Sequence, residues 1–445
     1  MREMSEIQTT IVRLFRLLTV LIVLVGMWAP PAGADAVPSA VLNAYRQRLG
    51  FVRGQIPQIT AVAEVVAQRW VEKKQVLIHS PFVGDSHNFT MELCYRAGGI
   101  DNIRMHTVRE EMRSANDVFI IGPRSWEVGG DEPMKEMLAD ARKRGWMIII
   151  FGSKHGTPAV VPFDFLIDNG AKGGSEEEAA LNQIVNITNS WIWCTELTAA
   201  LTRRGYHPGI PKGMPVPGAA AHNKMYQRED GASTLYPCAT PIPAGSLATA
   251  YLEQVERELT NLEGKAMQDQ LARAAEYAVA HLNAGNKVWV SSNTHVLDGE
   301  VLVDNNSPFS GFRGISGVLN DEKGLRFDAD IQAGDLLFFF GEWSLNLPWL
   351  DYLKLIRQTG ADYIPSYRLS TEPTEMYEGP SSFRDQNIDD ALMLLEQHWP
   401  FENAVAPIPF APGKMAPISG IYVCLLYRML DEKIAKTLAI QKPEP

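Results

Sequence analysis

A short pattern that occurs twice, each time behind a hydrophobic run, is the feature that most constrains this chain. The first copy reads Val76-Leu77-Ile78-His79-Ser80, then Asp85-Ser86-His87, with Glu92 five positions after the histidine. The second reads Val288-Trp289-Val290-Ser291-Ser292, then Asn293-Thr294-His295, with Glu300 again five positions on. Each is followed by an Asp that opens a second apolar run ending in Gly, Asp117 to Gly122 and Asp335 to Gly341. A helical stretch and a third apolar run come next, Trp146 to Phe151 in one copy and Tyr363-Ile364-Pro365 in the other. Strand, polar loop, helix and strand kept twice in one order imply two copies of one α/β domain, the alternative being chance likeness of two ordinary segments. Open parallel sheets bind ligands at the carboxyl ends of their strands, which is where both polar loops fall.

A chain of 445 residues has room for two such domains. Its net charge of -11 and pI near 5.4 exclude the basic face of a nucleic-acid binder. The four cysteines, Cys94, Cys194, Cys238 and Cys424, are scattered and form neither a disulfide framework nor a zinc motif. The spacing of His79, Asp85, His87 and His106 fits no common ligand set, so neither a metal nor another cofactor is expected.

At the amino terminus, Arg2, Arg13 and Arg16 precede the apolar stretch Leu17 to Trp28, and Ala34-Asp35-Ala36 follows. A basic start, a short apolar core and a small-x-small end make a secretory signal over residues 1–36, with export to the periplasm or medium. The apolar stretch is shorter than the roughly 20 residues of a stable span. An uncleaved membrane anchor is the alternative. The mature chain then begins near Val37 and divides into a first domain over 37–212, a connecting segment over 213–248 and a second domain over 249–437.

Apolar periodicity predicts helices over 41–74, 89–97, 133–144, 176–204, 249–282 and 417–433. The stretch from Gly205 to Pro243 is rich in Pro, Gly and Ala, and part of it is expected to pack on a domain or a partner. The helix after His87 would aim its free N–H groups at the first polar loop, which suits an anion.

Gly84-Asp85-Ser86-His87 through Glu92-Leu93-Cys94-Tyr95-Arg96-Ala97-Gly98-Gly99 is similar to a stretch of phosphosugar-binding proteins of the SIS (sugar isomerase) family. The Asp-led strand at Asp117 and the tail Ala406 to Tyr427 resemble the double-SIS arrangement as well. The resemblance implies two tandem three-layer α/β/α domains, each with a five-stranded parallel sheet. It implies as ligand a sugar phosphate or amino-sugar derivative. The departures fall in the loop after the second strand, where the family carries hydroxyls. Here Gly122-Pro123-Arg124-Ser125-Trp126 and Gly341-Glu342-Trp343-Ser344 stand instead. Glu342 beside a phosphate dianion would add repulsion of order 1 kcal/mol.

The ligand-binding candidates are Ser80, Gly84, Asp85, Ser86, His87, Arg124 and Ser125 in the first copy, with Ser291, Ser292, Asn293, Thr294 and His295 in the second. Hydroxyls, a histidine and an arginine suit a phosphate or sugar. Against this, Ser86 has an ordinary role as helix cap. Glu92 and Glu300 are the candidate bases of an aldose–ketose proton transfer, a task for a carboxyl whose pKa burial has raised. Glu92 is equally suited to pair with Arg96. His222 and Lys224 in the connection have the chemistry of a proton shuttle reaching the other half. Trp126 and Trp343 sit in loops expected to face the cleft. The readings are thus an exported sugar-phosphate binder, an isomerase, or a scaffold whose sites have decayed, with homo-oligomerisation left open.

Overall fold

The computed structural model describes residues 39–82, 86–94, 96–106, 113–125, 132–156, 163–213, 216–226, 234–297, 313–315, 318–321, 324–327, 329–343, 355–369, 390–411 and 413–441. The expected export signal, Gly84, Asp85, Trp126 and Glu300 lie outside the described residues, as does the side chain of Trp343.

The first copy runs α1 (Ala40–Lys73), β1 (Ile78–Ser80), α2 (His87–Leu93), β2 (Ile103–Met105), β3 (Val118–Ile121), α3 (Glu132–Lys143), β4 (Met147–Gly152), β5 (Phe165–Asp168) and α4 (Glu176–Thr202). The connection contributes β6 (Tyr206–Pro208), α5 (Ala219–Lys224) and β7 (Leu235–Pro237), with β6 and β7 paired antiparallel. The second copy runs α6 (Ser246–Glu263), α7 (Lys265–Asn283), β8 (Val288–Ser292), β9 (Arg313–Gly314), β10 (Val318–Asp321), β11 (Gly324–Phe327), β12 (Leu336–Trp343), β13 (Asp362–Arg368) and β14 (Leu395–Glu396). The hairpin of β15 (Ala404–Pro407) and β16 (Lys414–Pro417) leads into α8 (Ser419–Gln441).

Five parallel strands form each main sheet, in the order β2-β1-β3-β4-β5 and, from the corresponding edge, β9-β8-β12-β13-β14. The two orders are the same doubly wound order, so the duplication read from the sequence is also a duplication of topology. In this order the chain reverses direction between the first strand and the third, and the crevice there is the usual ligand position.

The leading Asp of the third strand anchors each copy by the same three bonds. Asp117 accepts from Leu77 N (3.1 Å), Ser114 N (2.9 Å) and His79 Nε2 (2.8 Å). Asp335 accepts from Lys287 N (2.9 Å), Gln332 N (3.0 Å) and Trp289 Nε1 (2.8 Å). The ladder agrees, pairing Ile78 with Val118 and Val288 with Leu336. His79 therefore corresponds to Trp289, two residues out of step with the alignment suggested by the hydrophobic runs. Strand chemistry, not the run of apolar letters, sets the equivalence.

Strands of parallel sheets are covered on both faces and read as continuous apolar runs. On the outer face of the first sheet, Phe119, Ile121, Ile148 and Ile150 pack on Met134 and Leu138 of α3 and on Trp146. The outer face of the second buries Leu337, Phe339 and Tyr363 against Leu355 and Ile356. The two inner faces share one core, in which Ile78, Val118, Ile120 and Phe151 join Val290, Phe338 and Ile364 through α1, α4, α6, α7 and α8. Helix α4 is buried over almost its whole length and packs mainly on α1, while α8 packs on α7.

Four sequence expectations need correction, the first being that the last helix, expected over 417–433, runs Ser419–Gln441. The stretch 249–282 is two helices, because Gly264 adopts an extended backbone (φ -58°, ψ 144°) between α6 and α7. The helix expected to reach residue 97 ends at Leu93, where Cys94 turns extended. Residues 341–343 are not a loop, since β12 runs on through Trp343 with an irregularity between Phe340 and Trp343. Part of the connection packs as expected: the His207 ring stacks on Phe410 at 4.4 Å. Among the described residues no helix is long and apolar enough to cross a membrane.

Replacing Asp117 by Ala would leave two backbone N–H groups and a buried ring nitrogen without an acceptor. Hydrogen bonds to a charged group are worth about 1.5–3 kcal/mol each, and are not additive. We expect a loss of about 3 kcal/mol, measured by urea unfolding, and a similar loss for Asp335→Ala. A loss under about 1 kcal/mol in both would remove these carboxylates as anchors.

Candidate functional site

The crevice between β1 and β3 is bordered by the amino end of α2 and by the loop that leaves β3. Ser80, at the end of β1, is fully buried, and its hydroxyl lies 2.8 Å from Thr90 Oγ1 of α2. Thr90 in turn donates to the Pro81 carbonyl. Ser86 starts α2 but its side chain makes no capping bond. Its Oγ accepts instead from Gly122 N (3.3 Å), so the helix start is tied to the end of β3. Only glycine fits there, because a Cβ on Gly122 would lie 2.2 Å from Phe89 Cδ2.

His87 is half-buried beside Phe82, with ring centres 4.1 Å apart, and burial lowers its pKa below the ordinary histidine value. Arg124 is 5% exposed, and Ser125 follows it at the surface of the crevice. The loop carrying them is held from α4 by Asn186, whose Nδ2 donates to the Pro123 carbonyl at 2.8 Å. Ser80, Ser86, His87, Arg124 and Ser125 thus cluster around one strand switch. His79 belongs elsewhere: it stacks on Trp146 at 4.4 Å, on the outer side of the sheet, with His106 edge-on.

In the second copy, Ser291 is buried in β8, and Asn293 N donates to the Phe340 carbonyl (2.8 Å). Ser292 Oγ and Thr294 Oγ1 lie 3.0 Å apart, and Thr294 Oγ1 accepts from Leu297 N (3.1 Å). His295 reaches the first copy, where its Nδ1 donates to the Met91 carbonyl of α2 (3.2 Å). Burial, and then the Arg96 charge, push its pKa down to about 4, so this histidine is neutral near pH 7.

Beside it lies a buried ionic cluster that joins the copies. The Arg96 guanidinium makes a two-pronged bond to Glu342, with Nη2–Oε1 at 2.8 Å and Nη1–Oε2 at 3.2 Å. Its Nη2 also donates to Ser419 Oγ (2.5 Å) at the start of α8. Glu92, one turn before Arg96, stands 3.5 Å from Arg96 Nε and accepts from Trp191 Nε1 (3.2 Å). The fourth wall is Gly420, where a Cβ would fall 2.7 Å from Glu92 Oε2.

One guanidinium cannot neutralise two buried carboxylates, and the two separate in pKa as a result. Burial raises Glu342, but Arg96, His295 and Ser419 outweigh it and hold the group below its ordinary value. Glu92 has the weaker geometry. Burial pushes it up to about 7, against the pull of Arg96 and with the push of Glu342.

The carboxylate expected to repel a phosphate in the second copy is therefore tied to the first copy. Neither Ser419 nor the Glu342–Arg96 pairing is legible in sequence, since 246 positions separate the charged partners. His222, offered as a shuttle, donates from Nε2 to the Ile210 carbonyl (2.9 Å) within the connection, and Lys224 is exposed. Cys94, Cys194, Cys238 and Cys424 form no disulfide.

The sequence matches no protein-family model and no curated protein. Among solved structures the chain is similar to the C-terminal domain of a glucosamine-fructose-6-phosphate aminotransferase from Francisella tularensis. That match has 10% identity and a TM-score of 0.46, covering 92% of this chain and 98% of the other. It is also similar to a candidate phosphosugar isomerase from Silicibacter pomeroyi DSS-3, at 9% identity and a TM-score of 0.46, covering 89% and 98%. A candidate sugar binding protein from Salmonella typhimurium LT2 matches at 10% identity and a TM-score of 0.42, covering 90% and 100%.

Glu92 generates a pH prediction. With its folded pKa near 7 against an ordinary 4.5, the folded chain holds a proton between those values that the unfolded chain has released. The stabilising proton is fully present below about pH 4.5 and lost as pH rises through 7. Relative to wild type, Glu92→Gln should gain stability from pH 5 to pH 8, by on the order of 3 kcal/mol at most. Urea unfolding of both proteins across that range measures it. A difference that does not change with pH would contradict the assignment.

Proposed function

We propose that the chain binds a sugar phosphate or a related amino-sugar derivative at the carboxyl end of its first sheet, between β1 and β3. The observation that carries this reading is the chemistry gathered at that strand switch: Ser86 and His87 at the amino end of α2, opposite Arg124 and Ser125. Arginine gives a fixed fork of donors for an anion, and hydroxyls adapt to what remains. In the second copy the corresponding strand end carries an acid, Glu342, which pairs with Arg96. The chain is read as a tandem SIS-type protein in which one strand switch keeps an anion site and the other has become part of the contact between copies. This agrees with the names of the structures it is similar to, on which it does not rest.

The test is thermal unfolding with glucose 6-phosphate, fructose 6-phosphate, glucosamine 6-phosphate and unphosphorylated glucosamine. A ligand at 100 times its dissociation constant stabilises by about 2.7 kcal/mol, a rise of several degrees or less for a protein of this size. We expect a rise with a phosphorylated sugar that Arg124→Ala abolishes. A flat response from the wild type sinks the reading. Solvent deuterium entering the carbon beside the carbonyl in the same mixtures would move it to an isomerase, with Glu92 as the base.

Export completes the proposal, supported by the basic, apolar and small-residue order of residues 1–36. Protein recovered from the periplasm or medium of a bacterial host should begin near Val37. An intact amino terminus in the membrane fraction would make the segment an anchor, and a cytosolic chain would remove export altogether.

A further inference from the structure

Helix α4 carries two adjacent amides that the protein itself does not satisfy. Asn182 and Gln183 are fully buried, and the oxygen and nitrogen of both side chains lack a hydrogen-bond partner. The next amides along the helix are used. Asn186 Nδ2 donates to the Pro123 carbonyl and its Oδ1 accepts from Asn169 Nδ2 (3.0 Å), while Asn189 Nδ2 donates to the Asp168 carbonyl (3.2 Å), its Oδ1 alone lacking a partner. Buried polar groups are nearly always paired, so four unpartnered atoms side by side need an explanation.

Helical periodicity locates them. Residues four apart lie one above the other on a helix. Asn182 stands one turn before Asn186, on the face that holds the Pro123 loop. Gln183 is the next residue, about 100° further round the same buried helix. The helix starts just after β5 ends, so its first turns lie on the carboxyl side of the sheet. Asn182 therefore lies toward the loop that runs from Pro123 to Ser125, with Gln183 beside it.

We propose that Asn182 and Gln183 read the neutral part of the ligand, its hydroxyl or amino substituents, while Arg124, Ser86 and His87 meet the anion. The proposal rests on the sugar-phosphate reading and names the groups that separate a sugar phosphate from phosphate alone. A primary amide donates and accepts, and a hydroxyl does both. A phosphate dianion accepts only, and would leave the amide oxygens unmatched; an apolar ligand would leave all four atoms so. Two buried amides that weaken the ligand-free fold are the kind of local conflict that functional sites retain.

The test compares Asn182→Leu, Gln183→Met and the same-sized Asn182→Asp with the wild type. Titration calorimetry reads affinity for whichever of the four sugars shifts the wild type most, and thermal unfolding reads the ligand-free midpoint. Losing one hydrogen-bonded pair weakens binding about tenfold. We expect that loss in each variant, with the midpoints of the leucine and methionine variants equal to or above wild type, because a buried unsatisfied amide is gone. Unchanged affinity in variants of a wild type that binds overturns the role of α4 alone. A clearly lower ligand-free midpoint overturns it too, since the amides would then serve the fold through water. A wild type that binds none of the sugars overturns this inference together with the reading beneath it.

Discussion

A helix buried on every side needs a partner on every side, and α4 is such a helix. It lies over the inner face of the first sheet, packs along α1, and meets α6 and α8 of the second copy. Its residues from Ala199 to Leu201, like Ile192 and Trp193, are fully buried in the core shared by both sheets. Without the second copy that surface would face water. At about 25 cal/mol per Å² of apolar surface, exposing several such side chains would cost a large part of the usual 5–15 kcal/mol of net stability. The second copy is therefore a folding requirement of the first.

Sharing one core makes the two copies unequal at their strand ends. Arg96 leaves the first copy and neutralises Glu342 of the second, with Ser419 at the start of α8 completing the pairing. The positive end of α8 also favours a charged Glu342. A buried ion pair of this sort is weak evidence for stability, since burying both charges costs about as much as their attraction returns. Its effect is on specificity of position: it fixes which strand end meets which helix. It also leaves Glu92 as the carboxyl without a full partner, close to neutrality in pKa. At the first strand switch the corresponding position carries Arg124 instead of an acid, and the ligand site is proposed there.

Much of the fold was legible because the governing signals are local. The third-strand aspartates appear in sequence as the residue that opens each apolar run, and in the structure each binds the same three donors. Helices α1, α3 and α4 fall within a residue or two of their expected bounds, since apolar periodicity and caps such as Ser175 set them. Two of the misread boundaries lie where one residue changes backbone region, at Gly264 and at Cys94, and another is the end of α8, at Gln441 instead of 433. Propensity at a single position is too small a free energy to announce such a break.

From the sequence alone came two parallel α/β units and the succession of strand, polar loop and helix along each, because side-chain periodicity and chain order carry that information. Only the tertiary structure decided that His79 answers to Trp289, that Ser86 ties α2 to β3 rather than capping a helix, and that Glu342 pairs with Arg96. It also decided that Asn182 and Gln183 are buried without partners. Each of these depends on which groups meet across tens to hundreds of residues. Burial then sets the strength of the charges involved, and neither the meeting nor the burial is encoded in any local pattern.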